Sequence, residues 1–309
     1  MGLELSHVFH DFQALGTQFH VELRTSAPEK APWIWLELEG MTEQFDSGFS
    51  RFIADSEVNR WRYAVAGRYQ ISNLLAELLE HADRLRTLTG GKFDPAVASV
   101  LEDAGYDAHY SFSGSSGYQD RLLSHWEVHR RPNRINISGP IVFDLGGFGK
   151  GYWIDELGNY LLAQGVQHWL VDGGGDMAAS SKSASSGYTV ALEWPGKPDT
   201  AIGTIELLNQ GFAASDIFKR RWGNKHHIMD IMQRKSTTHV LGAFAVAKNA
   251  MTADMMTSAL MLCAPEKYSR IARELGGEYL AVLADNTIRV SGAWPGEVFA
   301  AKSTIVIEQ

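Results

Sequence analysis

The stretch Phe143–Met177, FDLGGFGKGYWIDELGNYLLAQGVQHWLVDGGGDM, constrains the fold more than any other part of this chain. A short apolar strand is expected to end at Asp144 and enter a loop with glycines at 146, 147, 149 and 151. A helix is predicted from about Tyr152, with Ile154, Leu157, Leu161 and Leu162 on its buried face and Gly165 as its stop. Trp169 to Val171 then reads as a strand that runs into Gly173-Gly174-Gly175-Asp176. Glycines let backbone N–H groups come close to a ligand, and a helix N-terminus offers unpaired donors to an anion. Lys150 adds a point charge suited to phosphate oxygens. Two tight turns needed only for packing would use the same residues. The pattern is neither the dinucleotide fingerprint nor a P-loop. With the lysine and two flanking aspartates, it leans towards nucleotide binding.

Elsewhere, short strand-like and helix-like segments alternate without a repeat of fixed period. Gln18 to Leu23 alternates polar and apolar residues, as a half-buried strand does. A helix is predicted after Pro32, with Trp33, Trp35, Leu36, Met41 and Phe45 along one side. The clearest helix is Asn73 to Leu88. There Leu74, Leu75, Leu78, Leu79, Ala82, Leu85 and Leu88 fall at three- and four-residue spacing, and Gly90-Gly91 stop it. Trp126 to Ser138 reads as a hairpin turning at Pro132-Asn133. Tyr279 to Val290 reads as two strands joined at Asp285-Asn286, and Ser303 to Ile307 as a last strand. Ser111 to Gly117 and Ser180 to Gly187 are expected loops. Strands, helices and several hairpins together predict an α/β chain of the α+β kind, with antiparallel sheets.

Composition narrows the functional classes. Lys plus Arg number 28 against 36 Asp plus Glu, a net charge of −8, which argues against a nucleic-acid binder. No apolar run approaches the roughly 18 residues that span a bilayer. Cys263 is the single cysteine, so neither an intrachain disulfide nor a multi-thiolate zinc site can form. The start, MGLELSHVFHDF, lacks the basic and apolar segments of a secretory signal, and a cytoplasmic location is the plain expectation.

Two further clusters carry chemistry. In Ala250 to Leu262, Asp254 and Ser258 lie four residues apart and share a helix face, with Thr257 beside them. A carboxylate with a hydroxyl suits a hard cation such as Mg²⁺. A helix start capped by Thr252, with Asp254 complementing the dipole, explains the same residues without chemistry. Ser215 to Asp230, SDIFKRRWGNKHHIMD, is the most basic patch, and His227 within it could move a proton at neutral pH. A solvated turn between strands would look similar. The segments DSGFSRFIADSEVN and GGKFDPAV could both be capped loops.

In their order along the chain, LGTQFHVEL, FSRFIADSEVN, GGKFDPAV, DLGGFGKGYWID, LVDGGGDM, AASD, HHIMD and ADMMTSAL resemble the ApbE family, the FAD:protein FMN transferases. The resemblance implies a T-fold-like core in a single domain over residues 1–309, with room for two lobes and no clear linker. It implies FAD as substrate, Mg²⁺, and an acceptor flavoprotein modified on Ser or Thr. The metal would be held by the Gly149 carbonyl, Asp254 and Ser258. Lys150, Gly147, Gly149, Asp176, Ser215, Asp94 and Ser56 would line FAD, with His227 and Asp254 catalytic and Asp155 in support. Several positions depart from the family pattern. The Pro-Arg-Thr-Gly run after Asp230 is missing, Ser258 replaces threonine, Asp216 replaces glycine and Gly149 replaces alanine. An FAD pyrophosphatase and an FAD-binding protein without turnover would use the same residues.

Overall fold

The structure, a computed structural model, describes residues 5–114, 117, 123–181, 187–299 and 304–308. The chain forms two compact units. The first takes in residues 1–43, 148–219 and 238–309; the second takes in residues 44–147 and 220–237. Helix α1 (Ala31–Phe49) carries the chain from the first to the second.

The first unit is built on a nine-stranded sheet whose spatial order follows the chain. Its strands are Ser6–Ala14, Thr17–Thr25, Trp169–Gly173, Met177–Ser180, Gly211–Asp216, Val240–Ala247, Gly277–Leu283, Ile288–Ser291 and Ile305–Glu308. All neighbours pair antiparallel except the last two, which run parallel. A three-stranded sheet, Tyr188–Trp194, Lys197–Leu207 and Gly296–Val298, belongs to the same unit. Leu192, Ile205, Leu207, Phe212, Phe244, Leu280 and Val282 pack together in its core. Helices α4 (Gly149–Ala163), α5 (Ala250–Leu262) and α6 (Tyr268–Leu275) complete it. The mixed, largely antiparallel architecture is the one the sequence pattern predicts.

The second unit holds α2 (Asn73–Leu88), α3 (Ala98–Asp103) and a three-stranded antiparallel sheet of Gly67–Gln70, Asn133–Ile137 and Trp126–Arg130. Helix α2 forms where its leucine period places it. Ser72 Oγ accepts the Leu75 N–H at 3.0 Å, a standard N-cap. Leu75, Ala76, Leu78, Leu79, Ala82 and Leu85 are buried, and each leucine contributes about 2 kcal/mol of hydrophobic stabilisation. Gly90 and Gly91 follow at φ +65° and +84°, a conformation that favours glycine. Two small hairpins, Arg221–Trp222 with Lys225–His226 and Met229–Asp230 with Lys235–Ser236, close the unit.

Several sequence expectations change. No strand ends at Asp144. The N–H groups of Ile141, Phe143 and Asp144 donate to Trp61, Val58 and Pro95 carbonyls, so this apolar segment is satisfied by loops instead of a ladder. Helix α4 begins at Gly149, not Tyr152, and Leu162 is 40% exposed. In α1 the buried positions are Ala31, Ile34, Leu38, Thr42 and Phe45, while Trp33 and Leu36 face solvent at 60% and 63% exposure. That stripe keeps helical spacing and takes in Phe45, but it leaves Trp33 and Leu36 outside. The Trp126–Arg130 hairpin turns at Arg131-Pro132, and Asn133 already pairs with Arg130. Parts of the two expected Ser-rich loops, residues 115–116 and 182–186, lie outside the described residues, as does Ser303 of the expected last strand. Among the described residues no helix is long and apolar enough to cross a membrane.

Candidate active site

Helices α4 and α5 begin beside each other in the first unit. A Cβ on Gly151 would lie 2.5 Å from the Ala250 carbonyl oxygen and 2.8 Å from Met251 Cα, so only glycine permits the approach. The two starts are joined reciprocally. Asp254, at the fifth position of α5, accepts the Gly151 N–H of α4 through Oδ2 at 3.2 Å. Asp155, four residues beyond Gly151, accepts the Ala250 N–H at 2.8 Å and the Met251 N–H at 2.9 Å. Each helix therefore supplies a carboxylate to the orphan N–H groups of the other. Asn249 caps α5 in the ordinary way, its Oδ1 accepting the Thr252 N–H at 3.1 Å. The capping residue is thus Asn249 and not Thr252, which itself donates to the cap.

Lys150 lies in this first turn of α4, and its ammonium pairs with Asp176, a carboxylate 1% exposed. Asp176 ends a tight turn in which Gly174 and Gly175 take φ +76° and +103°. Asp172 Oδ1 holds that turn by accepting the Gly175 N–H at 2.8 Å. A Cβ on Gly174 would meet Thr17 Oγ1 at 2.1 Å, so the early LGT segment is in contact with this turn. Ser215 Oγ and Thr257 Oγ1 lie 3.0 Å apart, and Thr257 also donates to the Asp254 carbonyl of its own helix. Ser258 is half-buried one turn beyond Asp254. A cavity of about 610 Å³ is lined by Thr17, Asp172, Gly174, Gly175, Ser215 and Lys219 among others. Lys219 in this wall belongs to the basic patch read from the sequence, whereas Asp172 is an addition, for which the doubled Asp-Gly pattern around 172–176 is the available signal.

The remaining candidates belong to the second unit, and the structure gives each a local setting. Ser56 is buried, its Oγ accepting from Asn59 Nδ2 at 3.2 Å. Asp94 caps the short helical turn Pro95–Val97 and also accepts the Trp126 indole N–H at 2.9 Å. Gly147 sits in the turn that follows Asp144, whose Oδ1 accepts the Gly146 N–H at 2.7 Å. The two adjacent histidines differ. His226 is buried; its Nδ1 accepts the Ile228 N–H at 3.3 Å, so its proton is on Nε2, which donates to the Thr237 carbonyl at 2.7 Å. His227 is half-buried, its backbone N–H donating to the Arg220 carbonyl. The segment lacking Pro-Arg-Thr-Gly still closes as a hairpin. Asp230 Oδ1 accepts the N–H groups of Met232 and Gln233 at 3.0 and 3.2 Å, and Lys92 lies 3.1 Å from its Oδ2.

Among the described residues no group of three or more His, Cys, Asp or Glu side chains could hold a metal ion. The donors the resemblance implies are the buried Asp254 carboxylate, the Ser258 hydroxyl and the Gly149 carbonyl. These all-oxygen donors fit a hard cation that keeps most of its positions for water and substrate phosphate.

Burial, with the charges of Glu156 and Asp254 in support, raises the Asp155 carboxyl from 3.8 to about 6, despite the two N–H groups it accepts. Between these values the folded chain holds more protons than the unfolded one. The contribution to stability is therefore full below the unfolded value and is lost as the pH rises through about 6. The difference corresponds to about 3 kcal/mol. Urea unfolding of wild type and Asp155→Asn across this range is expected to show that component in the wild type alone. An identical pH slope in both proteins would contradict the assignment.

Fold and site together define a mixed helix–sheet protein in which two helix starts meet beside a lysine–aspartate pair. The chain belongs to the ApbE family, whose sequence model matches residues 15–283. It is 23% identical to the FAD:protein FMN transferase of Klebsiella pneumoniae over 284 residues, covering 86% of this chain and 81% of that one. It is 24% identical to the enzyme of the same name from Haemophilus influenzae over 301 residues, covering 89% and 86%. Its fold matches the crystal structure of the ApbE protein of Thermotoga maritima at TM-score 0.82, with 21% identity over 94% of this chain and 98% of that one. It matches the flavin transferase ApbE of Vibrio cholerae at TM-score 0.81, with 18% identity and the same coverage.

Proposed function

We propose that this chain transfers the FMN moiety of FAD to a Ser or Thr hydroxyl of an acceptor flavoprotein, releasing AMP. Family membership and the names of the relatives support the reaction class. The observation that carries the reading for this chain is the reciprocal junction of α4 and α5, in which Asp254 accepts the N–H of Gly151, the residue after Lys150.

The acceptor oxygen attacks the phosphorus on the FMN side, a new P–O bond forms, and the bond to the AMP oxygen breaks with its electron pair. His227 takes the proton from the acceptor hydroxyl. Lys150, oriented by Asp176, places positive charge where the diphosphate gains negative charge. Mg²⁺, held by Asp254, Ser258 and the Gly149 carbonyl, would offset the diphosphate charge and favour attack. The cavity wall of Thr17, Asp172 and Ser215 supplies polar groups to orient the flavin half. Positioning and electrostatics supply most of the acceleration, as in other phosphoryl transfers.

The test incubates the protein with FAD, Mg²⁺ and a flavoprotein acceptor and reads fluorescence of the denatured acceptor band. A flavin-labelled band, with one AMP released per label, is the expected result. AMP release without an acceptor identifies a pyrophosphatase instead. A yellow protein that keeps FAD intact identifies a binding protein.

A further inference from the structure

We infer that Asp155 is a positioning residue for the proposed transfer: from α4 it fixes the first turn of α5 and thereby places the Asp254 carboxylate. The inference rests on the reading of Asp254 given above. The first N–H groups of a helix have no partner within it. The Asn249 side chain satisfies the Thr252 N–H of α5, and the Ala250 and Met251 N–H groups before it are satisfied from outside the helix. Asp155 does so with both oxygens, at 2.8 and 2.9 Å, a geometry that fixes the direction as well as the distance of the helix start.

The surrounding backbone approaches that start closely. A Cβ on Gly211 would lie 2.0 Å from the Asn249 carbonyl carbon and 2.1 Å from the Ala250 nitrogen. On the α4 side, Gly151 already approaches Ala250 and Met251 as closely as glycine permits. Asp254 follows one turn after the residues Asp155 holds, and its own bond to the Gly151 N–H returns to α4, one turn before Asp155. The four groups form a closed loop: Gly151, Asp155, the Ala250–Met251 pair and Asp254. Loss of one side lets the other carboxylate shift against α4. A displacement of about 1 Å at a reacting centre costs about 10²-fold in rate.

The experiment compares wild type with Asp155→Ala and Asp155→Asn, each shown to be folded by circular dichroism. Asp155→Ala is expected to lower the transfer kcat by about 10²-fold while the KM for FAD changes less than about twofold. Half-maximal Mg²⁺ is expected to rise about tenfold, the effect of losing an outer partner of a metal ligand. Asn keeps one acceptor oxygen and is expected to recover part of the rate. In the protein without ligands, amide hydrogen exchange at Gly151, Ala250 and Met251 is expected to accelerate in both variants. Wild-type kcat in a folded Asp155→Ala, or unchanged exchange at these three amides, would overturn the inference. If the alanine variant does not fold, Asp155→Asn carries the same two readouts. A wild-type protein that transfers no FMN defeats the proposed function, whereas the exchange measurement still judges the clamp.

Discussion

Asp254→Asn is expected to lower FMN transfer by about 10³-fold, with a melting temperature close to that of the wild type. The side chain is 3% exposed and accepts the Gly151 N–H at 3.2 Å. Asparagine has the same shape and retains one oxygen to accept that N–H, so the junction of α4 and α5 survives. What disappears is the one carboxylate among the three proposed metal ligands. The remaining hydroxyl and carbonyl hold a divalent cation far more weakly than a carboxylate does. Initial rates at increasing Mg²⁺ test this directly: partial recovery at high concentration is expected. A variant that works at wild-type rate and ordinary Mg²⁺ would remove Asp254 from the mechanism.

The second large effect concerns the two adjacent histidines. His227→Ala is expected to lower the transfer rate by about 10²- to 10⁴-fold, the range for loss of a general base. FAD binding, followed by flavin absorbance, is expected to stay within about threefold, because the role proposed for the ring is toward the acceptor hydroxyl and not the dinucleotide. His226 is unavailable for that task, since both its ring nitrogens are engaged in buried hydrogen bonds to backbone groups. His226→Ala is instead expected to lower stability by about 2 kcal/mol through the unpaired Thr237 carbonyl and Ile228 N–H it leaves behind. Chemical denaturation separates the two variants. Transfer at the wild-type rate by His227→Ala, or lost FAD binding in that variant, would contradict the assignment.

The particular elements explain why some features could be read from the chain and others could not. Helix α2 follows from its own residues: a leucine period, a serine cap and a pair of glycines after the last turn. Helix α5 is different. It is buried on nearly every side, so no apolar stripe marks it, and its Asp-Ser spacing rather than its hydrophobic pattern drew notice. Helix α4 begins at Gly149, ahead of the Tyr152 the pattern predicts; Gly-Lys-Gly has low helix propensity and gives no local signal. Those glycines tolerate the helix because a larger residue at 151 could not lie against Ala250. Of the large apolar residues of α1 that the sequence groups on one side, Phe45 is buried but Trp33 and Leu36 are exposed, because the register of the helix puts Ile34 and Leu38 inward.

By itself the sequence determined the chemistry available. It set a lysine among glycines, a late helix with a carboxylate and a hydroxyl, a histidine pair, and enough ordered motifs to mark the ApbE family. These are properties of residue type and spacing along one segment, which local rules can capture. Only the tertiary structure decided which backbone groups those side chains serve. Asp155 lies 95 residues from Ala250 and Asp254 lies 103 from Gly151, yet each caps the helix of the other. Such pairings arise from the sheet that brings two distant helix starts together, and no pattern within either helix encodes them.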